Sequence, residues 1–177
     1  MITLSNKDIT LRSPEPEDLE ILYHWENNPA IWFVSQSLVP LSRYQLKLYL
    51  EQAAKDIFET RQLRLMIGLN KENRIIGAID LFDYDPFNRR AGLGILIAGE
   101  NDRKKGYAAQ ALETLIAYAF EILKLHQLYA NITPANSDSL NLFRKAGFVQ
   151  TGQKKDWLWK GDCFEDELIF QLINPAY

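Results

Sequence analysis

Cysteine is almost missing from this chain. Cys163 is the only one among 177 residues, so no disulfide can form within the chain, and a reducing compartment suits it. Histidine is nearly as scarce. His24 and His126 lie far apart, neither is near Cys163, and no metal-ligand spacing is formed, so no metal site is expected. Long apolar runs are missing too: nothing approaches the ~20 residues of a membrane helix. Met1 to Asp8 has no basic segment leading into an apolar one, so no secretory signal is expected. Together these absences lead to the expectation of a cytoplasmic protein without a membrane partner. Positive charge is not in excess. Lys plus Arg is 20, Asp plus Glu is 23, and the net charge of −3 argues against a nucleic-acid partner. There is no Gly-x-Ser-x-Gly elbow, which weakens a serine hydrolase. Walker-A spacing is absent. Gly92-Leu93-Gly94 sits inside a strand pattern with no helix following, so it is no dinucleotide fingerprint.

What is present is an ordinary globular mixture, 47% apolar and 24% charged. The length suits a single domain over residues 1–177, able to bury roughly 70% of its unfolded surface without a staple. Hydrophobic periodicity orders its elements. A short strand over Ile9–Arg12 leads through Ser13-Pro14-Glu15-Pro16 into a helix bearing Leu19, Leu22 and Tyr23, stopped at Asn27-Asn28-Pro29. Segment 30–41 is unusually apolar for a connector and is expected to fold over something. Ser42 and Gln45 form a capping box for a second helix, whose face runs Leu46, Tyr49, Leu50, Ala53 and Ile57. Strands over 63–69, 75–82 and 89–98, joined by short polar turns, predict an antiparallel meander.

The period then changes from two to 3.6. Ala111, Leu112, Leu115 and Ala119 belong to the apolar stripe of a long helix starting at Gly106. A strand over 128–133 follows, then a helix over 137–146. Gly147 is placed to end that helix, with Phe148 packing back on Phe143. A hairpin of strands 149–159 and 164–172 completes the chain. The order β-α-α-β-β-β-α-β-α-β-β is an α+β fold. Its long helix makes a β-α-β crossover, so the two strands it joins should be parallel.

Asp102-Arg103-Lys104-Lys105-Gly106-Tyr107-Ala108 joins a strand to the longest helix. Three cations and one acid give +3 − 1 = +2 at a helix N-terminus, where the dipole prefers anions. A bound phosphate would resolve that conflict, with free backbone N–H groups pointing at it and small Gly106 and Ala108 allowing close approach. A solvated basic loop is the alternative that the residues alone leave open.

Arg103-Lys104-Lys105-Gly106-Tyr107-Ala108 is similar to the Arg/Gln-x-x-Gly-x-Gly/Ala pyrophosphate loop of the GNAT superfamily of acyl-CoA-dependent N-acetyltransferases. Asn136-Ser137-Asp138-Ser139, followed by Leu142-Phe143-Arg144-Lys145-Ala146-Gly147-Phe148, resembles the Asn-x-x-Ser/Ala … Leu-Tyr-x-Lys-x-Gly-Phe segment of the same superfamily. The two lie about 30 residues apart in the matching β-α-β-α order. Asn88-Arg89-Arg90-Ala91 adds a likeness to the polyamine and ribosomal-protein branches.

The resemblance implies a mixed, mostly antiparallel sheet flanked by helices, with two central parallel strands splayed apart. It implies acetyl-CoA as cosubstrate and direct acetyl transfer to a primary amine, either a small polyamine or a peptide N-terminus. It also implies roles for residues. Backbone groups of Ile95, Leu96 and Ile97 would meet the pantetheine arm. Amides of Arg103, Lys104, Lys105, Gly106, Tyr107 and Ala108 would hold the pyrophosphate. Asn136 would contact the arm, with Phe143, Arg144 and Lys145 bordering it. The residues alone equally allow Asn136 to be a helix cap.

Phe143 stands where many members carry a proton-donating tyrosine. It cannot donate, which leaves Ser139 or a water to protonate the leaving thiolate. Asp80, Asp83 and Asp85 would attract a cationic amine, and Asp80 is the candidate base. Asp83 and Asp85 also fit plain turn chemistry. Trp32, Phe33, Trp157 and Trp159 could wall the acceptor site or pack in the core. The resemblance allows a homodimer through the final hairpin. A non-catalytic CoA-binding module is the competing function.

Overall fold

The computed structural model describes residues 3–35, 39–53 and 55–177, with the side chains of residues 33–35 left out. Phe33 and Val34 as side chains, and Leu38 entirely, therefore lie outside the described residues. Four strands, β1 (Ile9–Arg12), β2 (Leu63–Leu69), β3 (Arg74–Asp85) and β4 (Arg90–Ile97), pair antiparallel in chain order. Three more are β5 (Gln127–Ile132), β6 (Val149–Trp159) and β7 (Phe164–Ile173), and β7 pairs antiparallel with both others. All seven form one sheet in the order β1-β2-β3-β4-β5-β7-β6. Among the described strands only β4 and β5 are parallel, and α5 (Tyr107–Glu121) crosses between them. This is the mixed, mostly antiparallel sheet that the resemblance implies, in the α+β class that the element order predicts.

Helices cover both faces. Ala111, Leu112, Leu115 and Ala119 of α5 are fully buried in one cluster with Ile67, Ile79 and Leu128 of the sheet. Side chains alternate along a strand, so Met66 and Ala78 point to the opposite face. There they meet Leu22 of α1 (Leu19–Glu26) and Leu46 of α3 (Arg43–Ala53). Ser42 and Gln45 exchange both capping bonds at the start of α3, at 2.8 and 3.1 Å.

α6 (Ser137–Lys145) ends as its sequence predicts. Gly147 has φ of 93°, and the Phe148 and Gly147 amides donate to the Phe143 and Arg144 carbonyls. That is the six-to-one and five-to-two pattern of a glycine-terminated helix, sealed by Phe143 against Phe148 at 5.0 Å.

Two expectations need correction. Pro29 ends α1 but also opens a new helix, α2 (Pro29–Ser35), because a missing N–H costs nothing at a first helical position. The connector is thus partly helical, and it buries Ile31. Ile57 does not continue α3. It starts α4 (Ile57–Thr60), since the Asp56 carboxylate accepts the Phe58 and Glu59 amides and begins a fresh cap.

Two buried acids tie chain segments together. Arg12 of β1 grips Asp18, just before α1, with its two terminal guanidinium nitrogens, at 2.7 and 2.8 Å. Burial alone would raise the Asp18 pKa, but Arg12 and the Glu15 amide outweigh it and hold the carboxyl below its usual range. Asp102 is gripped the same way by Arg74, whose hydrogen bond outweighs burial and also lowers the carboxyl pKa. A carboxyl that titrates lower when folded lends stability above its unfolded value, about pH 4, and withdraws it as pH falls through the folded value. Melting temperature should therefore drop steeply below about pH 4. A combined Asp18→Asn, Asp102→Asn variant should be less stable at pH 7 and show a flatter acid limb.

Candidate active site

β4 and β5 part early. Their pairing comprises Arg90 with Gln127, Ala91 with Leu128 and Gly92 with Tyr129, and then stops. Yet β4 runs on to Ile97 and β5 to Ile132. The parting point is filled by aromatic rings. Phe82 lies over Gly92, where a Cβ would come within 2.2 Å of the ring. It stands nearly perpendicular to the Tyr129 ring, with centroids 5.9 Å apart. Glycine is thus required at position 92 for the Phe82 ring to occupy this spot.

Beyond the parting point, one bank of β4 has no strand partner. The Ala98 amide donates to Ile76 of β3, and antiparallel ladders alternate. Gly94 and Leu96 therefore turn their backbone groups toward β3, whereas Leu93, Ile95 and Ile97 turn theirs toward the gap. This corrects one expected contact: the Leu96 backbone is committed to β3. The Ile97 carbonyl is also engaged, because Arg103 Nε donates to it at 3.1 Å. Arg103 reaches the Ala98 carbonyl as well, so its side chain fastens the loop to the end of β4.

The loop itself contains two left-handed residues, Lys104 at φ 60° and Gly106 at φ 84°. Gly106 is the N-cap of α5, without a side-chain cap hydrogen bond and with no acid in the first turn. Lys104 and Lys105 are exposed, while Tyr107 and Ala108 are half-buried. Asp102 is paired with Arg74, so its charge is already answered. The surface of the loop is therefore cationic beside open helix amides, which fits a phosphate group.

Two cavities flank the parted strands. One, of about 440 Å³, is lined by Ile95, Asn136, Ser139, Phe143 and Lys160 among others. The other, of about 490 Å³, is lined by Trp25, Glu26, Arg64, Asp80, Asp83 and Trp157. Both volumes suit small-molecule sites. The cavities share Leu93, Gly94, Ile95, Asn131 and Glu167, so they meet where the sheet is open.

Asn136 does cap α6: its Oδ1 accepts the Ser139 amide at 3.1 Å, while the residue still lines the first cavity. Phe143 is buried and reaches that cavity; Arg144 and Lys145 are exposed and line neither. Leu96 lines the second cavity, and Ile97 lines neither. Trp157 walls the second cavity, whereas Trp159 packs on Phe164 at 5.0 Å outside both. Trp32 donates its indole N–H to the Glu26 carbonyl at 2.6 Å.

The acidic trio separates. Both Asp80 oxygens accept from Arg64, at 2.8 and 3.0 Å, and Arg64 also reaches Glu26 at 3.2 Å. Asp80 is thus the counter-ion of a half-buried arginine, poorly placed to collect a proton. Burial would lower the Arg64 pKa, but the Asp80 charge reverses this and raises it. Asp85 turns to Asn88 and Arg90 and serves the turn; the Asn88 side chain and amide lower its pKa. Asp83, at φ 49° where β3 bulges, accepts the Tyr129 hydroxyl at 3.3 Å. Burial first, and Asp83 second, push the Tyr129 hydroxyl pKa up.

Arg64, Glu26, Lys154, Glu167 and Tyr129 were not found from the sequence. A signal existed for Arg64, a charge inside the apolar run Leu63–Leu69. Counting back through the hairpin turn puts it directly opposite Asp80. Glu167, just before Leu168, Ile169 and Phe170, is a similar case.

No group of three or more metal-ligating side chains exists among the described residues, and none of their helices is long and apolar enough to cross a membrane. Similarity to known proteins agrees with the geometry. The Acetyltransferase (GNAT) domain family matches residues 8–149. The spermidine N(1)-acetyltransferase of Vibrio cholerae is 26% identical over 97% of this chain and 96% of its own. A crystal structure of the Vibrio cholerae spermidine N-acetyltransferase with CoA and spermine superposes with a TM-score of 0.82, covering 95% of this chain and 96% of that one at 24% identity. A dodecameric structure of the same enzyme has a TM-score of 0.78, covering 95% of each chain at 24% identity. The chain belongs to the GNAT family and is an acetyl-CoA-dependent N-acetyltransferase.

Proposed function

We propose that this enzyme acetylates a small polyamine-like cation, bound in the second cavity while the thioester lies in the strand gap. The meeting of the two cavities at Gly94 is the observation that carries this reading. One cavity adjoins the parted backbone. The other is lined by Glu26, Asp80, Asp83 and Glu167 against Arg64 and Lys154, so four acids face two bases. The residual −2 favours a cation, and the Trp25 and Trp157 rings can hold an alkylammonium. The CoA and spermine complex of the Vibrio cholerae relative supports the same substrate class.

In this reading, the Lys104 to Ala108 amides hold the pyrophosphate, and Leu93 and Ile95 bond the pantetheine arm as a strand would. The Ile95 amide side of the gap can also polarise the thioester carbonyl. Ser139 donates the proton that the leaving thiolate needs. Residues 1–177 act as one domain in the cytoplasm, and copies associate, as the dodecameric relative and the exposed Val149, Trp157 and Phe164 of the β6–β7 hairpin support.

Thiol release from acetyl-CoA should be followed with spermidine, propylamine and a serine-initiated peptide. Spermidine is expected to give the highest kcat/KM. A peptide N-terminus acetylated faster than both amines would overturn the polyamine reading in favour of a protein substrate. Ser139→Ala should lower kcat about tenfold or more, with the KM for acetyl-CoA little changed. An unchanged kcat would transfer the donor role to water.

A further inference from the structure

We propose that Glu167 is the catalytic base that takes the proton from the incoming ammonium, with Lys154 positioning it. The inference rests on the acetyltransferase chemistry of the family but not on which amine is the acceptor.

Glu167 lies on β7, one residue before Leu168, which pairs with Ile132 at the end of β5. It is only 4% exposed, yet it lines both cavities. Of the carboxylates among the described residues, it is the one that both cavities share. Lys154 stands directly opposite on β6 and donates to Glu167 Oε2 at 2.8 Å. Among the described residues, Oε1 has no hydrogen-bond partner, and no buried side-chain oxygen lacks one. Oε1 is therefore open to the cavity. The Lys154 ammonium is fixed in turn over the Trp157 ring at 4.8 Å, itself part of the acceptor wall. One oxygen is anchored and the other is free beside the point where amine and thioester must meet.

The other charged groups around these cavities are already engaged. Glu26 and Asp80 hold Arg64, Lys160 pairs with Glu165, and Asp83 accepts from Tyr129. None of them lines both cavities.

The step balances simply. Glu167 Oε1 takes one proton from the ammonium and frees the nitrogen lone pair. That pair forms the C–N bond at the thioester carbon. The C–S bond breaks with its electrons going to sulfur, and a second nitrogen proton reaches sulfur through Ser139. The proton on Glu167 leaves through cavity water. Ammonium and thioester become amide, thiol and one released proton.

Glu167→Gln keeps shape and one acceptor but cannot take a proton. With whichever amine wild type acetylates fastest, its kcat at pH 7 should fall about 100-fold. The deficit should shrink as pH rises toward the pKa of the amine, because free amine then needs no base. CoA affinity by calorimetry should stay within twofold. Glu167→Asp should recover part of kcat, guarding against a folding defect in the glutamine variant. Two results would overturn the proposal. One is a kcat within threefold of wild type. The other is a raised KM for the amine with an equal loss at every pH, which marks a binding carboxylate. A wild type that prefers peptides bears on the acceptor only and leaves this test standing.

Discussion

Replacing Gly106 with valine should weaken CoA binding about 100-fold while lowering the melting temperature by only a few degrees. The two effects separate because of where the glycine stands. At φ 84°, any other residue is strained, which costs about 1–3 kcal/mol for a side chain held in that region. Space is not the difficulty: a Cβ there meets nothing within 4 Å, so the free protein gains no clash. The strain is relieved by rotating the backbone, and this turns the first amides of α5. Folding hardly registers that rotation, because those amides have no partner within the helix. A polyanion held by them registers it at every hydrogen bond, and each 1.4 kcal/mol lost is tenfold in affinity. Calorimetric titration with CoA beside a thermal melt measures both. Wild-type affinity in the variant would remove the loop from the binding site.

The second large effect concerns stability. Arg64→Met should cost about 3–5 kcal/mol, or on the order of 10 °C in melting temperature for a chain of this length. Arg64 sits at 19% side-chain exposure between two acids at 19% each, one from α1 and one from β3. Removing the cation leaves Asp80 and Glu26 facing each other with no counter-charge. The loss comes from stranded charges rather than from a missing attraction. Adding Asp80→Asn and Glu26→Gln to Arg64→Met should therefore restore much of the stability. If the triple variant melts no higher than the single one, packing of the arginine stem, including its contact with Tyr49, carries the stability instead. In either case the charged tie between α1 and β3 is gone, while Leu22 still packs on Met66 and Ala78.

Much of the fold was legible because local and global signals agreed. The Leu63–Leu69 strand, the Ser42–Gln45 cap and the Gly147 terminus each depend on a few neighbouring residues, and each stands as expected. The cationic loop at the start of α5 stood out for a similar reason. A run of cations at a helix start contradicts the dipole, and such a conflict points to a ligand. What was hidden depends on register. Whether Asp80 is a free base or a counter-ion turns on Arg64, 16 positions away and opposite it across a hairpin. Whether Glu167 faces solvent or the site turns on the ordering of β7 between β5 and β6. The expected acidic trio divides for the same reason: Asp80 and Asp83 line the second cavity, Asp80 already holding Arg64, while Asp85 turns to Arg90 in its own turn.

The parted strands have one more consequence. Strands β1 to β4 and strands β5 to β7 are two half-sheets, stitched by three residue pairs at one end. Each backbone hydrogen bond left unmade along the opening forgoes about 1 kcal/mol of folding stability. That deficit is not lost. It is held as unspent affinity for any extended chain that can lie in the slot and satisfy both banks. In the proposed reading the thioester arm of the cosubstrate is such a chain, a removable eighth strand. On that reading the enzyme would be most fully assembled only while loaded, and discharge of the acetyl group would not disturb that assembly, because the bonds along the slot would belong to the arm and not to the group it carries.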